Sequence, residues 1–117
     1  MSAASGFDMK VQRDAKSGAV IVQLVGDIAL GQVDALDRQL LPVVASHPGV
    51  VIVDLSSVGF IASLGLGKLL ELHRGISRNG GELRIAGVQQ AVREVLVRCR
   101  LDAVLPMYEN LAAAKMG

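Results

Sequence analysis

Ser63 is the residue with the most chemistry open to it, because it stands between an apolar run and a helical pattern in Phe60-Ile-Ala-Ser-Leu-Gly-Leu-Gly67. As a nucleophile it would need the elbow G-x-S-x-G on a sharp strand-to-helix turn, followed in chain order by an acid and a His. Ile61 occupies the first glycine position and no His follows His73, so only the S-x-G half is present. As a helix N-cap its hydroxyl would accept a backbone N–H bond. As a phosphate acceptor it would gain about −1.5 to −2 charges, which a helix N-terminus tolerates but a close apolar interface does not.

The other candidates fall short of a site. Gly65-Leu66-Gly67 follows a strand and opens a helix as phosphate-cradling loops do. However, Leu70 stands at the third glycine of G-x-G-x-x-G, the position is not the first strand-to-helix turn, and no Gly-Lys-Ser/Thr follows. His47, His73 and Cys99 show no metal-ligand spacing. His47, before Pro48, reads as a solvated turn residue, and His73 as a partly buried one at the edge of a helical stripe. Cys99, at helical spacing from Val92 and Leu96, is expected to pack as a small buried hydrophobe. No catalytic set, cofactor or metal is expected, and the chain is read as a binding protein rather than an enzyme.

Composition narrows the partners. The chain of 117 residues is 51% hydrophobic but only 3% aromatic and has no Trp, so few rings remain to stack on bases. Twelve Lys and Arg against 11 Asp and Glu leave a net charge of +1, which supplies no overall field for nucleic acid or an anionic membrane. The single Cys cannot form an internal disulfide. Residues 1–9 lack the basic start and apolar run of a secretory signal, so none is expected there, and runs such as Val50-Val-Ile-Val53 are too short to span a bilayer. A cytoplasmic protein with no direct membrane insertion is expected.

The elements that must position Ser63 are legible in order. Residues 1–8 are read as a flexible leader to one domain over 9–117. Residues 9–11 and 19–25 read as strands joined by the polar, Gly-ended stretch 13–18, hence an antiparallel hairpin. Val33, Leu36, Leu40 and Val43 give a helical face that must end before Pro48-Gly49. The β-branched run 50–53 reads as a central strand with Asp54 at its C-terminal edge. Leu66, Leu69, Leu70 and Ile76 carry a second helix, stopped by Asn79-Gly80-Gly81. A strand over 82–86, a third helical face through Val92, Val95, Leu96 and Cys99, a short strand within 104–108, and a helix over 111–115 with Asn110 as N-cap complete the chain. The order predicts an α/β domain with right-handed crossovers, a mixed, mostly parallel sheet and about four helices.

At the second strand-to-helix junction, Phe60, Ile61, Leu64 and Leu66 gather apolar side chains while Ala62, Gly65 and Gly67 remove bulk that would hold a partner's backbone away. That composition suits an interface, and it equally suits a core edge and a turn.

Several pieces together resemble a known family. Gly26-Asp27-Ile28, residues 51–55, Val58-Gly-Phe-Ile-Ala-Ser-Leu-Gly-Leu-Gly67, Gly80-Gly-Glu-Leu-Arg-Ile-Ala-Gly87 and Ala91-Val-Arg-Glu-Val-Leu96 look like a STAS domain of the anti-sigma factor antagonist type, over about residues 9–115. The resemblance implies a partner-switching regulator of transcription. Such proteins bind an anti-sigma factor that is also a GHKL-type serine kinase, lose it when a serine at the start of the second helix is phosphorylated, and regain it through a phosphatase. The matching serine is Ser63, and the implied binding segment is Phe60, Ile61, Ala62, Ser63, Leu64, Gly65, Leu66, Gly67 and Lys68. Regulated members carry Asp-Ser-Ser/Thr-Gly where this chain has Ala62-Ser63-Leu64-Gly65, and Ala29 stands where an acid is common. Other STAS proteins act unphosphorylated, as scaffolds or as subunits of ABC-type transport complexes, which is the alternative.

Overall fold

β-Branched and other aliphatic residues dictate where the sheet runs. In the computed structural model, which describes residues 7–117, the strands are β1 (Asp8–Arg13), β2 (Val20–Val25), β3 (Val50–Ser57), β4 (Glu82–Ala86) and β5 (Met107–Tyr108). The helices are α1 (Val33–Ala45), α2 (Ser63–Arg78), α3 (Gln90–Arg98) and α4 (Leu111–Met116). The strand order is β1-β2-β3-β4-β5, with β1 antiparallel to β2 and every other pair parallel. The expected fold class is therefore found.

Because each parallel crossover steps the same way across the sheet, right-handed connections put α1, α2 and α3 on one face. Val51, Val53 and Leu55 of β3 meet Leu36 and Leu40 of α1, Leu69 and Ile76 of α2, and Leu96 of α3 there. The opposite face of β3 presents Ile52, which is covered by Ala114 of α4 together with Ala19 and Ala86. This two-sided cover is why β3 reads as an unbroken apolar run.

Some expectations are corrected. β3 does not end at Asp54 but continues through Ser57, leaving Asp54 buried, with its Oδ1 accepting the Ser56 N–H at 3.0 Å. On α2 the buried stripe is Leu66, Leu69, Leu72 and Ile76, while Leu70 is only half-buried. Cys99 is exposed, not core. α3 stops at Arg98 and the chain turns left-handed at Arg100, so the helical spacing that would bury Cys99 has already lapsed. The last strand is two residues long, because Val104 closes a short 3-10 turn instead of pairing. Of the leader expected over 1–8, residues 1–6 lie outside the described residues; Phe7 packs against the core and Asp8 opens β1.

The hairpin turn carries an acid-sensitive contact. The Ser17 hydroxyl and backbone N–H donate to Asp14 Oδ2 at 2.7 and 2.9 Å, and Lys115 Nζ lies 3.2 Å from Oδ1, joining the turn to α4. The Ser17 bonds first, and then Lys115, lower the Asp14 carboxyl from 3.8 to about 2. A carboxyl depressed by folding contributes stability above its unfolded pKa, and that contribution is lost as pH falls through the folded one. Thermal melts between these limits should therefore show wild type losing more stability than Asp14→Asn. Parallel curves would assign the acid sensitivity to other carboxylates.

Candidate functional site

The C-terminal ends of β2 and β3 are sewn together beyond the strands proper. Gly26 turns the chain at φ 97° and donates to Ser57 O at 3.0 Å. Ile28 then donates to Phe60 O at 2.8 Å and accepts from Ala62 N at 2.7 Å, so Ile28 and Ile61 form a parallel bridge. Both side chains are buried, at 0% and 5% exposure. The first turn of α2 lies directly on them. A Cβ on Gly65 would sit 2.9 Å from Ile61 Cγ2 and 3.1 Å from Ile28 Cγ2, so only glycine allows this approach.

This packing sorts the segment expected to bind a partner. Ile61, Gly65 and Leu66 face the core, and the lack of bulk at Gly65 serves the domain's own packing rather than a partner's backbone. Phe60, Ser63, Leu64 and Gly67 are exposed, and Ala62 and Lys68 are half-buried. Nothing lies within 4 Å of where a Cβ on Gly67 would point. Phe60 and Leu64 are 51% and 58% exposed, and they stand four residues apart on one segment.

Ser63 is not the helix cap. Ala62 holds that position with extended backbone, no side chain caps α2, and Ser63 is its first helical residue. The Ser63 hydroxyl therefore projects outward at the positive end of the helix without a structural bond to give up. Lys68, one turn further on, sits 3.5 Å from both Asp37 of α1 and Glu71. Partial desolvation pulls its ammonium down, but Asp37 and then Glu71 outweigh this and hold its pKa above the ordinary value. Its role is to tie α1 to α2.

On the other side, Phe60, Ile61 and Leu66 line a cleft of about 180 Å³ with Ala91, Val92 and Val95 of α3. Gln89 Nε2 donates to Ser56 O at 2.9 Å and fixes the entry to α3 against β3. The histidines stay away from this surface in chemistry: His47 is exposed in a turn with φ 52°, and His73 is half-buried with Nδ1 lacking a hydrogen-bond partner.

A profile of the STAS domain matches residues 9–114, nearly the whole chain. The protein belongs to the STAS domain family. This STAS domain is 24% identical over 108 residues to an anti-sigma F factor antagonist of Paenibacillus polymyxa, covering 89% of this chain and 90% of that one. It superposes on the crystal structure of an anti-sigma factor antagonist from Mycobacterium paratuberculosis with a TM-score of 0.88 at 27% identity, covering 99% and 97% of the two chains. SpoIIAA shares the fold at 16% identity in its unphosphorylated form, with a TM-score of 0.72 over 86% of this chain and 88% of that one. The phosphorylated form from Bacillus gives 0.66 at 15% identity, over 86% and 91%.

One part of the STAS surface was not read from the sequence. Leu30, 66% exposed, stands two residues beyond Ile28 and so beside the Ile28–Ile61 bridge. The available signal was the apolar pair Ile28 and Leu30 following the Gly26-Asp27 turn. Only the backbone pairing of 26–28 with 57–62 shows that this loop and the start of α2 form one surface.

Proposed function

We propose that this STAS domain is an anti-sigma factor antagonist of the partner-switching kind, acting in the cytoplasm. It binds an anti-sigma factor that is a GHKL-type serine kinase, through Phe60, Ser63, Leu64 and Gly67 with Leu30 at the margin. Ile61, Gly65 and Leu66 shape that surface from beneath, and Ala62 and Lys68 flank it. Phosphorylation of Ser63 dissociates the complex, and a serine phosphatase restores it. The observation that supports this reading is the free Ser63 hydroxyl at the first turn of α2, on a segment whose Phe60 and Leu64 are exposed and whose backbone is bridged to the loop carrying exposed Leu30. Relatives that carry the name anti-sigma factor antagonist are regulatory binding proteins, and the resemblance to them spans both chains.

The domain contributes a surface and an acceptor hydroxyl, while the partner contributes the phosphoryl chemistry. Ala62 and Leu64, where regulated members carry polar neighbours, imply a kinase whose peptide groove is apolar on both sides of the acceptor. The test is a pull-down from native extract, with intact-mass measurement before and after phosphatase treatment. The expected result is co-purification of a serine kinase of the anti-sigma class and one removable phosphate lost in Ser63→Ala. Stable co-purification with a transport ATPase and no phosphate would replace this reading with that of a transport-complex subunit.

A further inference from the structure

A net charge of +1 is a sum over the chain, and the fold does not distribute it evenly. α2 and α3 both run from the C-terminal ends of the strands back to the edge where the strands begin. They deliver Arg74 and Arg78, and Arg98 and Arg100, to that edge, all four exposed and without an ion-pair partner among the described residues. Of the nearby acids, Glu82 lies 3.0 Å from Arg84 and Asp14 holds Lys115, which leaves the exposed Asp102 of the turn as one negative charge against the four arginines. The first-turn residue Ser63 is about 23 Å away along α2, at 1.5 Å per residue.

The turn after α3 adds a second property. Residues 97–104 are exposed except for the half-buried Leu101, and they include Val97 and Val104 at 47% and 42% exposure. Arg100 is held at φ 61°, outside the helix, so it does not serve as a counter-charge within the last helical turn. Leu101 packs on the core and fully buried Leu105 follows, so the turn is anchored while its arginines and valines project.

We propose that this basic edge, with the 97–104 turn at its centre, seats the domain on an anionic phospholipid surface. Guanidinium groups match phosphate oxygens in fork geometry, and aliphatic tips between them enter the headgroup boundary. A projecting turn suits a flat, charged surface, whereas an acidic peptide would be held better in a groove. The scarcity of aromatic residues disfavours single-stranded nucleic acid, which binds by stacking. Contact is peripheral and leaves the Ser63 edge facing away from the lipid.

The test is co-sedimentation of the full chain with vesicles of phosphatidylglycerol and phosphatidylcholine, against phosphatidylcholine alone. Each basic residue near an anionic surface contributes roughly fivefold to partitioning. The wild type is expected on anionic vesicles only, released by salt, and Arg98→Glu with Arg100→Glu should reduce binding at least about tenfold. Val97→Asp should weaken it as well, and Ser63→Asp should not. Circular dichroism of each variant confirms that the loss is not unfolding. The proposal is overturned if wild type ignores anionic vesicles, if the charge-reversed variant binds equally, or if wild type prefers polyglutamate or DNA.

Discussion

Ser63→Asp should fold as wild type does and bind the proposed kinase partner about 30-fold more weakly. The two halves of this expectation have separate causes. Ser63 is the first residue of α2 and its hydroxyl makes no cap bond, so the substitution removes no structural contact. A carboxylate there meets the positive end of the helix, worth about 0.3–1 kcal/mol in its favour. The melting temperature should hold or rise slightly. In the proposed complex, the same carboxylate would lie in a surface that includes the exposed Phe60 and Leu64, and would have to be desolvated without a counter-charge on its own side. A cost of about 2 kcal/mol is at the lower end for a buried unpaired charge, and it corresponds to the stated loss of affinity. Leu64→Glu should act in the same direction. Isothermal titration beside thermal melts separates the two effects. Equal affinity for wild type and both variants would remove the segment from the interface, whereas loss of folding would show that Ser63 has a structural role not visible in its contacts.

Two glycines in one helical turn should respond to substitution with opposite signs. Gly65→Val places methyl groups against Ile61 and Ile28, where even a bare Cβ is too close. Both neighbours are held by the bridge and cannot retreat, so destabilisation of about 3 kcal/mol is expected. Gly67→Ala enters open space on a helix interior and should stabilise by up to about 1 kcal/mol. Urea unfolding of both variants reads the difference directly. A stabilised or neutral Gly65→Val would mean that α2 is free to lift from the bridge, and the fixed position of Ser63 would then be lost. Gly67→Ala carries a further consequence for binding. If the open space above Gly67 is where a partner's backbone passes, the stabilised variant should bind more weakly than wild type.

The order of elements was legible because each announces itself in a different alphabet: β-branched runs for β2 and β3, helical spacing for α1 to α3, Asn110 for the start of α4. That last expectation is met by the Asn110 side chain accepting from Ala113 N at 2.8 Å. What escaped is decided by where a pattern stops. Leu69 and Leu70 both fit a helical face, and only the direction in which α2 rolls onto β3 selects Leu69 with Leu72. Cys99 fits the face of α3 by spacing, but the helix is over by then. Of the roles open to Ser63, the cap is the one serine commonly fills, and the structure excludes it. The chain instead starts α2 from Ala62, as it starts α1 and α3 from Gln32 and Gln89, none of whose side chains caps the helix that follows. Within the candidate site, the run from Phe60 to Lys68 was visible as a string of residues, but its alternation between core and surface was not. That alternation depends on Ile28, a residue more than thirty positions earlier, whose pairing with Ile61 decides which side chains turn inward.

The idle hydroxyl of Ser63 has a consequence for what kind of device such a domain would be. A serine that caps its helix would make modification a mechanical event, since a bond would break and the helix end would fray. Here nothing internal depends on that oxygen. A phosphate placed on it would break no internal bond and would meet the favourable end of the helix, so the fold would hold in either form. Both forms would stay folded, and the mark would persist until an enzyme erased it. Such a domain would behave as a record rather than a spring: it would store one bit, which its partners would both write and read.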